Sequence, residues 1–312
     1  MKPQNSKNST QISSQTQESE DANESLENLP ASLEQLNITK EKNIPFSHEQ
    51  LQDIIAELER DIVGGHWLKG TYHYANTDLK MMPALIEQAN HKYQGLNLKL
   101  VTTSHDLCLS IKEAIENGIP SSRLIVNTTD RGVHSVVLDH RTIEGKTSLI
   151  VFEPATLESE AALLLAVRLQ LTIQRELPEC YFSKVEMDIQ RSASECSIIS
   201  LALAKKLHTE ADKLTRMHKD NISGVLCQQN TTLPHDKVDP YLPPSFYKHT
   251  QGTRRLKEYI KSNPAAENEK VNKKGETLRE RFEKNLVESE GKAVSVSLHR
   301  KRVTEYKSIL KL

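Results

Sequence analysis

Aromatic side chains and cysteine are scarce in this 312-residue sequence, and it contains no long hydrophobic run. Phe, Trp and Tyr together make up 4% of the residues, so a folded core has to be built mainly from Leu, Ile, Val and Ala. No segment has eighteen apolar residues in a row, and we therefore expect no membrane span. The four cysteines form neither CxxC pairs nor a regular disulfide spacing, which is typical of a protein that works in an intracellular environment.

Motifs for metal and nucleotide chemistry are also lacking. There is no HExxH, and the twelve histidines are scattered at spacings that do not suggest ligand pairs, so no metal is expected. Neither a Walker A loop nor a GxGxxG is present, so the sequence offers no recognisable cradle for a nucleotide phosphate.

Charge is distributed unevenly along the chain. Residues 1–45 contain four basic and seven acidic side chains, whereas residues 245–312 contain seventeen basic and nine acidic ones. Residues 1–45 are also rich in Ser, Gln, Asn and Glu, and we expect them to be disordered because they cannot bury enough apolar area to fold alone. They lack a basic start followed by an apolar run, so they are not a Sec signal peptide, and a plain flexible tail is one interpretation.

A β-hairpin is predicted near the middle of the chain. Ser135–Leu138 is a short β-branched run, Thr147–Phe152 is an apolar one, and Glu144-Gly145 between them is a turn signal. Such a hairpin places the start of its first strand opposite the end of its second. His134 is then expected within diagonal contact of Glu153.

Cys196 begins a segment with strong helical character, Cys-Ser-Ile-Ile-Ser-Leu-Ala-Leu-Ala-Lys-Lys-Leu, with Ser192 or Ser194 as the predicted N-cap. The positive end of the helix dipole would stabilise a thiolate there, and a base beside it would activate the thiol further. The amide of Gln190 could donate a hydrogen bond to an oxyanion formed at the sulfur. His134, Glu153 and Cys196 therefore form a candidate catalytic triad.

Each triad residue also has a plain interpretation when it is considered alone. A lone Cys in an apolar helix usually fills the core, and a lone His at a strand start is usually a satisfied core or surface residue. A Glu before Pro is usually an ordinary strand end. The residue pattern by itself leaves both interpretations open.

The remaining segments alternate between helical and strand patterns. Strands in the middle of the chain with helices around them predict an α+β fold. The predicted helices are 47–62, 82–92, 107–117, 158–176, 196–217 and one from about residue 299 to 310, and the predicted strands outside the hairpin are 96–102, 123–127 and 181–188.

Four longer segments of the sequence stand out as motifs. They are Gly-Val-His-Ser-Val-Val-Leu-Asp at 132–139, Gly-Lys-Thr-Ser-Leu-Ile-Val-Phe-Glu-Pro-Ala at 145–155, Val-Glu-Met-Asp-Ile-Gln-Arg-Ser-Ala-Ser-Glu-Cys at 185–196, and Leu-Pro-His-Asp-Lys-Val-Asp-Pro-Tyr-Leu-Pro-Pro-Ser-Phe-Tyr-Lys-His-Thr-Gln-Gly at 233–252. These segments resemble the YopJ family of bacterial type III effector acetyltransferases, and more specifically its animal-pathogen branch. Shorter similarities occur around Trp67 and in Met-Met-Pro-Ala-Leu at 81–85, so the resemblance covers about residues 46–312.

The resemblance implies roles for the triad. His134 would be the general base, Glu153 its orienting acid and Cys196 the nucleophile, while Gln190 falls where related ubiquitin-like-protein proteases keep an oxyanion-hole glutamine. The implied fold is an adenovirus-protease/ubiquitin-like-protease-type cysteine catalytic core with helical regulatory elements from both ends of the chain. Ser197 departs from the family pattern, which has Gly after the Cys, and we interpret it as a tuning difference.

The resemblance also implies three regions and two small-molecule ligands. Residues 1–45 would be a disordered type III export and translocation segment, 46–245 the catalytic core and 246–312 a basic regulatory region. Lys248 would be autoacetylated, although a Lys in a Pro-rich connection is ordinarily just a surface residue. The implied acetyl-CoA contacts are His134, Arg191, Ser192, Lys248 and Gln251, and the implied contacts of the activator inositol hexakisphosphate are Lys273, Lys274, His299, Arg300, Lys301 and Arg302.

The basic C-terminal cluster has other interpretations. A solvated face is the usual one, and nucleic acid is disfavoured because no aromatic side chains alternate with the charges as stacking platforms. A compact polyanion, as the resemblance implies, would need a ring of Lys, Arg and His side chains.

The function implied is transfer of acetyl from acetyl-CoA, through a Cys intermediate, to Ser, Thr or Lys of host signalling kinases. That reaction would block their phosphorylation and so MAP-kinase and NF-κB signalling. The expected partners are host MAP-kinase kinases, with the IκB kinase as a further candidate, and the expected location is the host cytoplasm after type III secretion. The same triad would serve a cysteine protease that cleaves ubiquitin-like conjugates, since only the second nucleophile differs. A non-catalytic kinase-binding decoy is disfavoured because all three triad positions are intact.

Overall fold

The computed structural model describes residues 44–64, 72–128, 133–228, 231–289 and 291–311. Nearly all of the predicted N-terminal export segment, the Trp67 segment and Gly132 lie outside the described residues. From residue 43 onward the chain forms one compact unit.

Most secondary-structure elements follow the predicted order. The helices are α1 (His48–Gly64), α2 (Tyr72–Lys92), α3 (Ser104–Glu116), α4 (Glu160–Glu176), α5 (Cys196–Thr209), α6 (Thr215–Ile222), α7 (His235–Val238), α8 (Thr253–Ser262), α9 (Leu278–Lys284) and α10 (Ser297–Leu310). The strands are β1 (Leu98–Val101), β2 (Ser121–Val126), β3 (Val136–Ile143), β4 (Lys146–Glu153), β5 (Tyr181–Glu186), β6 (Thr232–Leu233), β7 (Leu286–Ser289) and β8 (Lys292–Ser295).

The central sheet has the strand order β1-β2-β3-β4-β5-β6 and is mixed. Strands β2, β3 and β4 are antiparallel neighbours, while β1 pairs with β2, β4 with β5 and β5 with β6 in parallel. Strands β7 and β8 form a separate antiparallel pair. A mixed sheet with helices packed against it is the predicted α+β class.

Successive residues of β2, β3 and β4 point to opposite sides of the central sheet, and the side chains on both faces are buried. The first face packs under α2, α5 and α6, with α10 against α2 and α5 and α1 against α10, and the second face packs under α3 and α4. The strand residues on the first face include Ile125, Val137 and Ile150, and those on the second include Leu124, Leu138 and Leu149.

The predicted hairpin is confirmed. Strands β3 and β4 pair from Val137 opposite Phe152 to Ile143 opposite Lys146, which leaves a two-residue turn. Glu144 and Gly145 both have positive φ, 51° and 76°, and this conformation matches the twist of an antiparallel pair.

Two helix boundaries differ widely from the prediction, and the predicted N-cap of α5 was wrong. The helix from Cys196 does not continue to Met217: α5 ends at Thr209, and a 3₁₀ turn at Ala211–Leu214 leads into α6. The change of direction lets His218 of α6 reach the sheet, where its side chain bonds to Asp139 and Ser148.

Helix α2 begins at Tyr72, ten residues before the predicted start, and Pro83 lies inside it. Its additional first half carries Asp78, which is fully buried against α10, so tertiary packing outweighs the local signal there. The N-cap of α5 is Glu195 and not Ser192 or Ser194, whose hydroxyls bond to each other at 3.1 Å.

The basic C-terminal region shares its core with the rest of the compact unit. Leu298, Val303 and Tyr306 of α10 belong to the same hydrophobic cluster as Leu58 of α1 and Leu85 of α2. Packing is therefore continuous across the predicted boundary at residue 245. Among the described residues, no helix is both long and apolar enough to cross a membrane.

Candidate active site

The hairpin brings His134 to Glu153. His134 lies two residues before β3, and Glu153 is the last residue of β4. The Nε2 atom of His134 is 2.7 Å from Oε2 of Glu153, and the other carboxylate oxygen accepts a hydrogen bond from the backbone N–H of Ala155 at 2.8 Å. The carboxylate is thus fixed on one side by the backbone and holds the imidazole on the other.

Helix α5 brings Cys196 to the same place. Cys196 is the first residue of α5, which packs against β3, and its Sγ lies 3.5 Å from the carbonyl oxygen of Val133. Ser200, one turn later, donates a hydrogen bond to the carbonyl of Ser135 at 3.1 Å. The start of α5 is therefore tied to the backbone on both sides of His134.

The electrostatics of His134 favour the imidazolium. Burial acts to lower its pKa, but hydrogen bonds to Cys196 and Glu153 and the charges of these groups outweigh burial and raise the pKa to about 10. With Nε2 directed at Glu153, Nδ1 is the nitrogen left to face Cys196. A protonated imidazole between a carboxylate and a sulfur is the arrangement that stabilises a thiolate.

The segment between β5 and α5 lies beside the triad. Gln190 is buried, and its Nε2 donates to the carbonyl of Ser192 at 2.6 Å, while its Oε1 has no hydrogen-bond partner among the described residues. In this arrangement the amide of Gln190, the predicted oxyanion donor, donates instead to the backbone two residues farther along the chain.

A cavity of about 540 Å³ opens at His134. Its lining includes Arg191 and Ser192, two of the predicted acetyl-CoA contacts, together with Gln190 and Arg254. A larger cavity of about 780 Å³ lies between the end of α4, β5 and the end of α6. That cavity has no triad residue in its lining, so the chemistry favours the smaller one.

An ionic cluster adjoins the His134 cavity, and Asp188, Arg191 and Arg254 of this cluster line it. Asp188, His235 and Glu258 place ligand-type atoms within 4.8 Å of one another. Arg254 donates to both Asp188 and Glu258 at 2.7 Å, and Arg191 donates to Asp188 at 2.6 Å. The guanidinium groups already neutralise the carboxylates, so we interpret the cluster as an ion-pair network.

Two predicted acetyl-CoA contacts lie away from this cavity's lining. Gln251 is fully buried, and its side-chain amide is hydrogen-bonded to Arg191, Ser192 and Glu195. Its predicted contact with acetyl-CoA therefore does not fit its surroundings. Lys248 is half-buried, and burial followed by the charges of Lys206, Lys301 and Arg281 lowers its pKa to about 7.

The six predicted polyanion contacts are not brought together as one exposed cluster. Lys273 and Lys274 lie in an exposed turn, and Arg300 donates to Asn285 at 3.1 Å. Lys301 is partly exposed, near Lys248.

His299 and Arg302 are fully buried, so their assignment to a polyanion site does not fit the structure. Burial lowers the pKa of His299 to about 4, which keeps it neutral, and its Nε2 bonds to the carbonyl of Leu58. Arg302 makes three hydrogen bonds to Asp78. The sequence could not reveal this pair, because the two residues are 224 positions apart and neither lies in a motif.

The whole compact unit is similar to known proteins. The family model described as YopJ Serine/Threonine acetyltransferase matches residues 51–308. The serine/threonine-protein acetyltransferase YopJ of Yersinia pestis is 51% identical over 286 residues, which cover 90% of this chain and 99% of that protein. The solved structure of AvrA delL154 with IP6 and CoA has a TM-score of 0.81 at 51% identity and covers 86% of this chain and 100% of that one. HopZ1a in complex with IP6, at 21% identity and a TM-score of 0.65, has the same fold.

Proposed function

Since the chain belongs to the YopJ family of serine/threonine acetyltransferases, we propose that Cys196, His134 and Glu153 carry out its acetyl transfer. The observation that supports this assignment best is the position of His134, with Glu153 at 2.7 Å on one side and Cys196 on the other. Family membership also favours acetyl transfer over the cleavage of ubiquitin-like conjugates, for which the triad alone would serve equally.

In the first step the Cys196 thiolate attacks the carbonyl carbon of acetyl-CoA. The carbon–sulfur bond to coenzyme A breaks, the acetyl group stays on Sγ, and the leaving thiolate takes the proton of the His134 imidazolium. His134 is then neutral. Negative charge on the carbonyl oxygen would be stabilised by the backbone N–H of Cys196 and by Gln190, once its amide turns from Ser192.

In the second step the neutral imidazole accepts the proton of a Ser or Thr hydroxyl while that oxygen attacks the acetyl-cysteine. An ester forms on the acceptor, the Cys196 thiolate leaves, and the ion pair with His134 is restored. Glu153 holds the ring orientation in both steps and stabilises the imidazolium without itself taking a proton.

Acetyl-CoA would enter through the 540 Å³ cavity. A relative 51% identical to this chain was solved with CoA, and Arg191 and Ser192 line the cavity next to His134 here. The Arg191 side chain is about one-third exposed. A guanidinium in that position can pair with a phosphate of the cofactor.

The acceptor would be a protein, and α4 offers it a surface. The exposed face of α4 is apolar over its middle part, at Leu163, Leu164, Val167 and Leu171. The first turn of α4 reaches the His134 cavity through Ser159 and Ala161. An apolar face continuous with the reaction site fits a folded acceptor protein, which we propose to be a host MAP-kinase kinase or the IκB kinase, acetylated on Ser or Thr of its activation loop. The protein would reach the host cytoplasm by type III secretion.

A polyanion such as inositol hexakisphosphate would bind a basic cluster different from the predicted one. This cluster consists of Lys248 and of the three cations whose charges lower its pKa, Lys206, Lys301 and Arg281. Repulsion among them opposes their close approach, so a ligand that binds only the assembled form should stabilise it. A relative 51% identical to this chain was solved with IP6.

The test is incubation of the protein with labelled acetyl-CoA, a MAP-kinase kinase and inositol hexakisphosphate. We expect label on kinase Ser or Thr with the wild type, and none above background with Cys196→Ala. Lys206→Glu with Lys301→Glu should weaken binding of inositol hexakisphosphate in calorimetry, while Lys273→Glu with Lys274→Glu serves as the matched control. A Cys196→Ala variant that labels the kinase normally would overturn the assignment of the nucleophile.

A further inference from the structure

One side chain from the C-terminal part of the chain, Gln251, holds the segment that precedes the nucleophile. Its Oε1 accepts hydrogen bonds from the backbone N–H groups of Arg191 at 2.5 Å and Ser192 at 3.0 Å. Its Nε2 donates to Oε2 of Glu195, the residue directly before Cys196. Gln251 is fully buried, and its own backbone bonds to Ile189 at 2.9 Å.

A second side chain, Arg302 of α10, holds the same segment from another direction. Besides its bonds to Asp78, it donates to the carbonyl of Ser194 at 2.6 Å. Its guanidinium also lies 3.6 Å from Oε1 of Glu195, and both side chains are fully buried. Two C-terminal residues thus contact the backbone or side chain of four of the five residues from Arg191 to Glu195.

The charges around Glu195 come from two helices. Asp78 of α2 and Arg302 and His299 of α10 face it, and His299 is neutral. Burial, helped by repulsion from Asp78 and opposed by Arg302, raises the pKa of Glu195 to about 7. One guanidinium therefore faces two carboxyl groups, and the neutral amide of Gln251 supplies the hydrogen bond that Glu195 would otherwise lack.

We infer that Gln251 and Arg302 are positioning residues for the nucleophile: by fixing the segment from Arg191 to Glu195 they fix where α5 begins and hence where the sulfur of Cys196 lies relative to His134. This inference rests on the proposed role of Cys196. A buried amide and a buried guanidinium thus connect the C-terminal region directly with the segment from Arg191 to Glu195.

An exchange of the two interacting groups tests the inference. In Gln251→Glu the new carboxylate can still accept from the two backbone N–H groups, but it faces Glu195 without a donor. In the double variant Glu195→Gln with Gln251→Glu the amide and the carboxylate have changed places, so the hydrogen bond is regained with its donor on residue 195. Gln52→Glu on the exposed face of α1 is the control for the charge change.

At pH 9, well above the pKa of Glu195, we expect Gln251→Glu to lower kcat about 10²-fold, the size of loss that a small misplacement of a reacting group causes. KM for acetyl-CoA should stay close to the wild-type value. The loss should shrink toward pH 6, where a proton shared between the two carboxyl groups can replace the missing donor. The double variant should regain most of kcat and show the wild-type pH profile.

The rate of alkylation at the Cys196 peptide by iodoacetamide, followed by mass spectrometry, should change in parallel with kcat. If Gln251→Glu is folded and its kcat at pH 9 equals that of the wild type, the inference is overturned. If that variant does not fold, the double variant decides: recovery of kcat supports the inference, and a folded double variant without activity overturns it.

Cys196→Ala is measured in parallel. Activity in that variant would contradict the proposed nucleophile itself, whereas an inactive Cys196→Ala beside a fully active Gln251→Glu would contradict the positioning role alone.

Discussion

The hydroxyl oxygens of Ser135 and Ser197 lie 2.9 Å apart, and both residues are buried. Ser135 follows His134 and Ser197 follows Cys196, so this hydrogen bond joins the chain directly behind the base to the chain directly behind the nucleophile. The amide of Asn127 donates to the same Ser135 hydroxyl at 3.2 Å. Ser197 therefore has a local structural role beside the candidate nucleophile.

Ser197→Gly should destabilise the protein by about 2 kcal/mol, because it removes a buried hydrogen bond and places glycine in the first turn of α5. Ser197→Ala separates the two causes, since it removes only the hydroxyl. Denaturant unfolding measures both variants, and kcat should fall by less than tenfold in each because no reacting atom is lost. Equal stability of the wild type and both variants would contradict this role.

Glu153→Gln should lower kcat by about 10²- to 10⁴-fold with little change in acetyl-CoA affinity, because it removes the charge that supports the imidazolium. The raised pKa of His134 should fall at the same time, which an NMR titration of its ring detects.

The folded-state pKa of His134, about 10, lies above the ordinary value of 6.5. The stability that this charge contributes is thus present below about pH 6.5 and is lost as the pH rises toward 10, and Glu153→Gln should weaken that dependence. An unchanged kcat would show that another acid orients the ring.

If the apolar face of α4 binds the acceptor, the double variant Leu164→Ser with Leu171→Ser should lower kcat/KM for a kinase acceptor by about tenfold or more. The change should appear as a higher KM for the kinase. These side chains are 58% and 60% exposed, so stability should hardly change. Acetylation of a short peptide and autoacetylation should keep their wild-type rates. Val225→Ser, at a position 71% exposed, is the control, and an equal loss with the control would argue against a specific surface.

Lys248 should react with acetic anhydride at neutral pH faster than an exposed lysine, because its lowered pKa, about 7, leaves much of the amine neutral. Its rate should level off above about pH 8, whereas that of an ordinary lysine rises to about pH 10. Mass spectrometry of the Cys196→Ala variant measures Lys248 against Lys273, which lies in an exposed turn. Parallel pH profiles at the two positions would contradict the expected environment of Lys248.

Local signals in the sequence predicted the elements that carry the proposed triad. The Glu144-Gly145 turn set the register of β3 and β4, and that register brought His134 to Glu153. The apolar run after Cys196 predicted a helix that begins at the sulfur. These predictions succeeded because turn conformation and helix initiation depend on residues a few positions apart.

Tertiary packing decided the start of α2, the break after Thr209 and the places of the charged C-terminal residues. A count of basic side chains could not distinguish Arg302, which is buried against Asp78, from Lys301, which is partly exposed. Nor could a motif show that Gln251 bonds to the segment before Cys196. The sequence alone determined the order of the elements as far as α6, the presence of the last helix and the identity of the candidate catalytic groups, whereas β6 to β8 and α7 to α9 were not predicted. Burial and the pairing of residues far apart in the chain arise only when the helices pack on the sheet. A buried charge loses its hydration, so its stability depends on the partner that the packing brings to it.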